Sequence, residues 1–480
     1  MLNKTTYLFA FIFLLMASCK KSALNVAGSG TPSADSTKYN SDWTYATHGN
    51  SAPDYTTVFP QNAVNTLEIT MTAAQWTSIR NNMKALYGAD FGSNINLPPA
   101  GTTSTTEPDY VDVTLKFNGK TWKNVGYRLK GNSTLRTAWT QGNYKLPFRL
   151  NFDKFEDKYP GTTNQHFFGF EELSFSPGAK DQSLIHEKMA ADVFRQAGIP
   201  AAVTAFYKVY VDIGSGLKYC GVYTAVEVPD DNMIKAQFGE ESGNMYKPES
   251  NFLTFNQTVF EKKNNETAAD YTDVKTFITA LNSATRTSDP AKWRTDLEAI
   301  FNMEHFLKYL AINNTIVNWD SYGVMAHNYY LYNHTTKKLT WIPWDHNEAF
   351  AGSPGITGSA VVGPPGPPGP GGGGGMTGLS LTMNEVSSSW PLLRYIADDP
   401  IYFAKYKAYM KAFKDNVFTE AYMNGLIDKY QSLITPFAIG VNGEKPSYTY
   451  LTSETSFTSS FPALKTHVTA RRALVSTFVP

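Results

Sequence analysis

Asp320, Asn328 and Asp345 fall within one segment, NWDSYGVMAHNYYLYNHTTKKLTWIPWDHNEAF. Asp320 follows a long helical pattern, Asn328 opens a strand and Asp345 ends the next strand. A carboxylate in a helix-to-strand loop, an amide at a strand start and a second carboxylate after a hairpin form the arrangement that phosphoryl transfer needs. The first Asp orients a nucleophile, while the Asn and the second Asp hold Mg²⁺ over the phosphates. Each residue alone has an ordinary explanation: a turn cap for Asp320, a satisfied loop backbone for Asn328, a lysine partner for Asp345. Asp345 is however set among Trp341, Pro343 and Trp344, where a carboxylate is costly to keep charged without a cation. A zinc site from His327, His334, Asp345 and His346 has suitable ligand types. An extended strand would hold His327 and His334 about 20 Å apart, so both reach one ion only if the chain doubles back.

Other chemistries lack their motifs. There is no G-x-S-x-G elbow, no H-E-x-x-H, no Walker-type phosphate loop and no cysteine pair, which removes serine-hydrolase, zincin and P-loop readings. Gly373, Gly375 and Gly378 match G-x-G-x-x-G only inside a Pro/Gly tract with no preceding strand, so the match is compositional. Basic and acidic residues number 42 each, and this zero net charge argues against nucleic acid as a partner. The 14% aromatic content suits an aromatic core or a carbohydrate-facing surface, the core being the simpler reading.

The elements that must carry these residues follow from hydrophobic periodicity. Leu67 to Met71 and a helical stretch from Thr72 to Tyr87 form an opening unit. Val111, Val113, Leu115 and Phe117 alternate with polar residues, Asn118-Gly119 supplies a tight turn, and Trp122, Val125, Tyr127 and Leu129 continue, which predicts a β-hairpin. A third strand runs through Leu146, Phe148, Leu150 and Phe152, with Lys145 and Arg149 on its other face; Pro147 there argues for a sheet edge. The segment DQSLIHEKMAADVFRQAGIP predicts a helix apolar on two sides, hence well buried. Strands over Ala205 to Val211 and Tyr219 to Val228 follow, joined by a Gly214/Gly216 turn. The second half reads as mostly helical, with helices over Thr272 to Leu281, around Ile300 to Leu310 and between Trp390 and Phe478. Two short strands, Tyr329 to Tyr332 and Lys338 to Ile342, interrupt it.

At the N-terminus, Lys4, an apolar run from Tyr7 to Leu15 and the small residues before Cys19 read as a signal peptide over residues 1–18, with Cys19 as a lipidation site. Cys220 is then left without a partner and reads as a buried structural thiol. Residues 19–60, rich in Ser, Thr, Gly and Asn, read as a lipid-anchored flexible tether, and 362–378 as a mobile Pro/Gly loop. The chain is therefore expected at the cell envelope, facing the periplasm or the outside, with the membrane engaged only through the lipid.

GYRLKGNSTLR and the Lys145 strand after it, DQSLIHEK, CGVYTAVE, GNMYKPE and the block NWDSYG…HNYYLY…LTWIPWDHNEAFAG together resemble the CotH kinase-like family, over roughly Val111 to Phe350. The resemblance implies an α+β, atypical protein-kinase-like fold, in which a β-rich N-lobe (61–229) and a mainly helical C-lobe (230–480) clasp ATP. It implies Asp320 as the catalytic aspartate, and Asn328, Asp345 and Asn347 as ligands of Mg²⁺ or Mn²⁺. Lys145 is the implied phosphate-contacting lysine, with Glu187 as its ion-pair partner, and Ser133 belongs to a phosphate-covering turn, Gly131 to Thr134. Two residues depart from the family pattern: Asn347 stands where a second acidic residue is usual, and His186 where arginine is common. The implied activity is that of an exported lipoprotein kinase moving the γ-phosphoryl group of ATP to protein Ser/Thr hydroxyls. The alternative is a non-catalytic envelope binding module or adhesin on the same fold, holding a protein or glycan partner.

Overall fold

The computed structural model describes residues 40–96, 106–352, 355 and 378–480. The signal peptide, Cys19 and residues 362–377 of the Pro/Gly tract lie outside the described residues. From Asn40 onward the chain is packed, which corrects the tether expected as far as residue 60. Helices α1 (Tyr45–His48) and α2 (Tyr55–Val58) are single turns, N-capped by Thr44 and Asp54. His48 is sandwiched between Trp43 and Trp122, with ring centroids 5.3 and 4.3 Å away, and Val58 and Phe59 are buried. These few apolar side chains dock onto other elements instead of forming a stripe of their own, so no periodicity marks the segment.

The first half continues through β1 (Asn65–Thr70), α3 (Ala73–Tyr87), β2 (Val111–Phe117), β3 (Lys120–Leu129), α4 (Ser133–Gln141) and β4 (Phe148–Asn151). After them come β5 (Glu172–Ser176), α5 (His186–Gln196), β6 (Thr204–Asp212) and β7 (Lys218–Glu227). Its seven strands close into a barrel in the order β1-β2-β3-β4-β5-β7-β6, sealed by the one parallel pair, β1 with β6. Helix α3 opens on a reciprocal Thr72/Gln75 cap and stops at left-handed Gly88. Asn118 and Gly119 both take positive φ, 49° and 74°, which suits a two-residue hairpin turn. Alternation sends Leu115, Trp122, Phe148, Phe175 and Tyr223 into the barrel core. Strand β4 lies between β3 and β5 and not at an edge, because Pro147 precedes the ladder and takes no N–H position in it. The turn expected at Gly131 to Thr134 is also corrected: Ser133 is the first residue of α4, whose Leu135, Ala138 and Trp139 are buried at helical spacing.

The second half runs through α6 (Asp231–Phe238), β8 (Met245–Pro248), β9 (Phe260–Lys262), α7 (Thr272–Leu281), α8 (Thr285–Ser288), α9 (Pro290–Glu298) and α10 (Met303–Ile316). It ends with β10 (Tyr329–His334), β11 (Lys338–Pro343), α11 (Pro391–Asp398), α12 (Pro400–Asn416), α13 (Glu420–Ala438) and α14 (Glu454–Phe478). The four strands form a second sheet in the order β11-β10-β8-β9. Helix α10 is buried on nearly every side, against β11, α12 and α14. Trp341 stacks on Tyr329 at 4.0 Å and meets Phe306 and Tyr309 of α10, which fixes the hairpin β10/β11 against that helix. A separate cluster of Val226, Phe238, Tyr330, Ile342 and Trp344 joins the end of the barrel to this sheet. The architecture is mixed α/β, and among the described residues no helix is long and apolar enough to cross a membrane.

Candidate active site

Helix α10 delivers Asp320 through a strained and tightly bonded exit. Val317 ends the helix at φ 55°, a left-handed conformation that is rare for a β-branched residue. Asn313 then donates to the Asn318 carbonyl at 3.1 Å and to Ser321 Oγ at 3.0 Å, and Arg471 of α14 donates to the carbonyls of Asn314 and Thr315. These bonds satisfy the last carbonyls of the helix, which would otherwise be buried and unpaired. Asp320 is half-buried, and its Oδ1 accepts from His327 Nε2 at 2.9 Å. Burial alone would lower the His327 pKa, but the hydrogen bond and charge of Asp320, with Asp345 and Glu249, outweigh it and hold the imidazole above its ordinary value.

The β10/β11 hairpin places Asn328 and Asp345 at its same open end. Tyr329 faces Pro343 in the register, and Trp344 N–H donates to the Asn328 carbonyl at 3.1 Å. Both residues have left-handed backbones, φ 64° for Asn328 and 58° for Asp345. Asn328 Nδ2 donates to the Asp320 carbonyl at 2.8 Å, which leaves its side-chain oxygen available. Thus Asp320, Asn328 and Asp345, expected together from sequence, are brought together. The Asp345 carboxylate has no hydrogen bond or ion pair among the described residues. Burial raises its pKa, Lys130 pulls it back down, and Asp320 pushes it up again.

The lysine that neighbours Glu187 is not the one expected there. Lys145 does not meet Glu187: its Nζ lies 2.6 Å from Glu444 Oε1, with the two side chains 0% and 1% exposed. Glu444 also accepts from Val222 N–H and from Thr449, and Gly221 at φ 102° leaves it room, since a Cβ there would lie 2.5 Å from Glu444 Oε1. Glu444 comes from the connection between α13 and α14, 299 residues from Lys145, which no local pattern could reveal. Glu187, in the first turn of α5, instead accepts from the His346 N–H at 3.2 Å and from the Asn347 backbone. Burial and the charge of Asp345 push its carboxyl up to about 8, with Lys130 opposing. Lys130, directly after β3, is the amine between Asp345 and Glu187: burial lowers its pKa, Asp345 and Glu187 raise it, Arg149 and Lys247 lower it. Its Nζ lies 5.9 Å from the Trp344 ring. No sequence signal sets Lys130 apart from Lys145, because strand alternation gives a face but not a partner. Ser133 is exposed, and Asn347 is half-buried with only its backbone engaged here.

The histidines do not converge. His334 bonds the Phe238 carbonyl, and His346 is buried against Phe194 with Asn318 donating to its Nδ1 at 3.3 Å. Among the described residues no three His, Cys, Asp or Glu side chains gather to hold an ion by themselves. The residues present nevertheless fit a magnesium–nucleotide pair. Asp345 and Asn328 offer hard oxygen donors, Mg²⁺ takes its remaining ligands from phosphate and water, and the Lys130 ammonium has no acceptor among the described residues. Cys220 is buried, as expected, and its thiol is pushed up to about 12 by that burial.

No curated protein is a significant match to the chain. Among solved structures, the Shewanella oneidensis MR-1 toxin–antitoxin system HipA, HipB and operator DNA complex is similar at 12% identity and a TM-score of 0.27, covering 64% of this chain and 61% of that one. The Helicobacter pylori proinflammatory kinase CtkA is similar at 8% identity and a TM-score of 0.27, covering 78% of this chain and 96% of that one. The family described as CotH kinase protein matches residues 127–475, a span that holds every residue of the site above, and the chain belongs to that family.

Proposed function

We propose that the protein is a metal-dependent kinase that transfers the γ-phosphoryl group of ATP to Ser or Thr hydroxyls of a protein partner. Membership of the CotH kinase family supports a kinase-type function. The observation that carries the finer reading is the Asp345 carboxylate, which among the described residues has no hydrogen bond or ion pair, beside a Lys130 amine equally without one there and across the hairpin end from Asn328. A half-buried carboxylate in that state calls for a cation, and a half-buried ammonium for an anion. In this reading the barrel is the N-lobe, the helical half is the C-lobe, and the nucleotide lies between them.

Asp345 and Asn328 would hold Mg²⁺ or Mn²⁺, with Asn347 as a neutral further ligand. When bound, the metal neutralises charge on the phosphates. Lys130 contacts the phosphates, kept in place by Glu187 and by the Trp344 ring. Asp320 orients the acceptor hydroxyl and takes its proton, while His327 holds one of its oxygens. An acceptor in the envelope, reached by an exported lipid-anchored chain, completes the reading. A thermal-shift titration with ATP and Mg²⁺ tests it. The wild type is expected to show a metal-dependent shift that Asp345→Ala abolishes, and an undiminished shift in the variant would contradict the assignment.

A further inference from the structure

Next to this site the outer faces of β3, β4 and β8 collect positive charge that the residues already described do not use. Arg128 and Arg149 stand directly opposite each other in the β3/β4 register, two positions along β3 from Lys130. Like charges in that relation repel and are stabilised only by counter-charge. Lys247 of β8 adds a third cation, close enough for Arg149 to disfavour its charged form. The counter-charge present falls short. Glu172 accepts from Arg149 at 3.2 Å and from Asn151 at 2.9 Å, and Glu107 lies 2.6 Å from Arg128. Among the described residues the buried Arg128 Nε and Arg149 Nε have no hydrogen-bond partner, and Arg128 is only 5% exposed. The Lys247 side chain makes neither a hydrogen bond nor an ion pair among the described residues, and Glu261, opposite it in the β8/β9 register, is paired with Lys263. Neither guanidinium is free to turn out to water, because Arg128 is stacked 5.2 Å from the Tyr110 ring and Arg149 is held at 3.2 Å by Glu172 of the barrel ladder.

The two acids differ in kind. Glu172 is part of β5, fixed by the barrel ladder, whereas Glu107 precedes β2 outside any helix or strand and its side chain is 67% exposed. We propose that Arg128, Arg149 and Lys247 form a seat for a phosphate-class oxyanion, and that Glu107 is the chain's own stand-in at that seat. One carboxylate leaves Arg128 Nε, Arg149 Nε and Lys247 Nζ unmet. A phosphate, with a charge of about −1.5 to −2 and three acceptor oxygens, matches two guanidinium forks and an ammonium. The oxyanion is either free phosphate or the phosphoryl group of a phosphorylated side chain. The seat adjoins Lys130, whose charged form Arg149 and Lys247 both disfavour, but binding there needs neither metal nor nucleotide, so it is tested apart from phosphoryl transfer.

Calorimetric titration of the full chain with inorganic phosphate, and separately with a phosphoserine peptide, tests the seat without metal or nucleotide. Glu107→Gln, at an exposed side chain that does not threaten the fold, removes the competitor and is expected to tighten phosphate binding about three- to tenfold. Lys247→Gln is expected to weaken it several-fold and Arg149→Gln at least about tenfold. Tightening in Glu107→Gln for the peptide as well as for phosphate assigns the group to a phosphorylated partner; tightening for phosphate alone assigns the free anion. Phosphate affinity unchanged in both Glu107→Gln and Lys247→Gln would overturn the proposal.

Discussion

At Asp345 the chain holds a carboxylate on left-handed backbone without a hydrogen bond among the described residues to support it, a position that costs both strain and desolvation. Lys130 is the nearest compensation, and the two together make sense if a metal and a phosphate complete them. Lys145 is the contrasting case: a fully buried ion pair with Glu444, closed to any ligand. Removing one partner of such a pair leaves an uncompensated charge and costs about 3–5 kcal/mol, while replacing both by apolar groups is often neutral. Lys145→Met is therefore expected to lower stability by about that amount in urea denaturation, and Lys145→Met with Glu444→Met to recover most of it and still bind ATP. Lys130→Met is expected to keep its stability and lose at least about tenfold in ATP affinity. Loss of ATP binding in the folded double variant, with Lys130→Met unaffected, would restore Lys145 to the site. The sequence made Asp320, Asn328 and Asp345 legible because each sits at the end of a strongly patterned element. The pairing of Lys145 away from Glu187 was not legible, because it turns on Glu444, which lies far away in the chain.

Short elements explain most of what periodicity missed. The β2/β3 hairpin, α3, α5, α7 and the β10/β11 pair stand where their patterns put them, with matching turn or cap residues at Asn118-Gly119 and at Thr72 and Gly88 of α3. Helices α1 and α2, strand β5 and strands β8 and β9 are five residues or fewer, too short for a period to register. One of these short elements carries a pH-dependent tie. Tyr55 of α2 donates to Glu227 at the end of β7, which also accepts from Val203 N–H at 2.8 Å. Burial pushes the Glu227 carboxyl up from 4.5 to about 7, against these hydrogen bonds and Arg195. A carboxyl with a raised folded-state pKa contributes stability fully below its unfolded value, and that contribution is lost as pH rises through the folded value. Between pH 4.5 and about 7 the wild type is expected to lose up to roughly 3 kcal/mol relative to Glu227→Gln, which stays neutral. Urea denaturation of both proteins across that range checks it, and parallel pH profiles would show that Glu227 is ionised throughout.

Barrel closure depends on a long-range pairing, β1 beside β6, that no local signal announces, so the strands were legible in the sequence but their closure into a barrel was not. That closure matters for the site. It fixes the outer faces of β3 and β4, and with them Lys130, against the sheet that carries Asn328 and Asp345. Helix α5 spans the same junction, its Glu187 meeting the loop after β11 while its apolar residues enter the helical core. In the proposed kinase reading these elements act as one unit, with positioning and charge neutralisation supplying the rate.

Transfer of label from γ-labelled ATP, in Mg²⁺, by the full chain to itself or to envelope proteins measures that unit as a whole. The wild type is expected to incorporate label on Ser or Thr. In Asp320→Asn incorporation is expected to fall at least about a hundredfold, while ATP affinity changes only a fewfold, because the base is lost and the ground-state contacts are kept. No incorporation by the wild type, with binding of a glycan or protein partner that Asp320→Asn leaves unchanged, would contradict the kinase reading and favour a binding module.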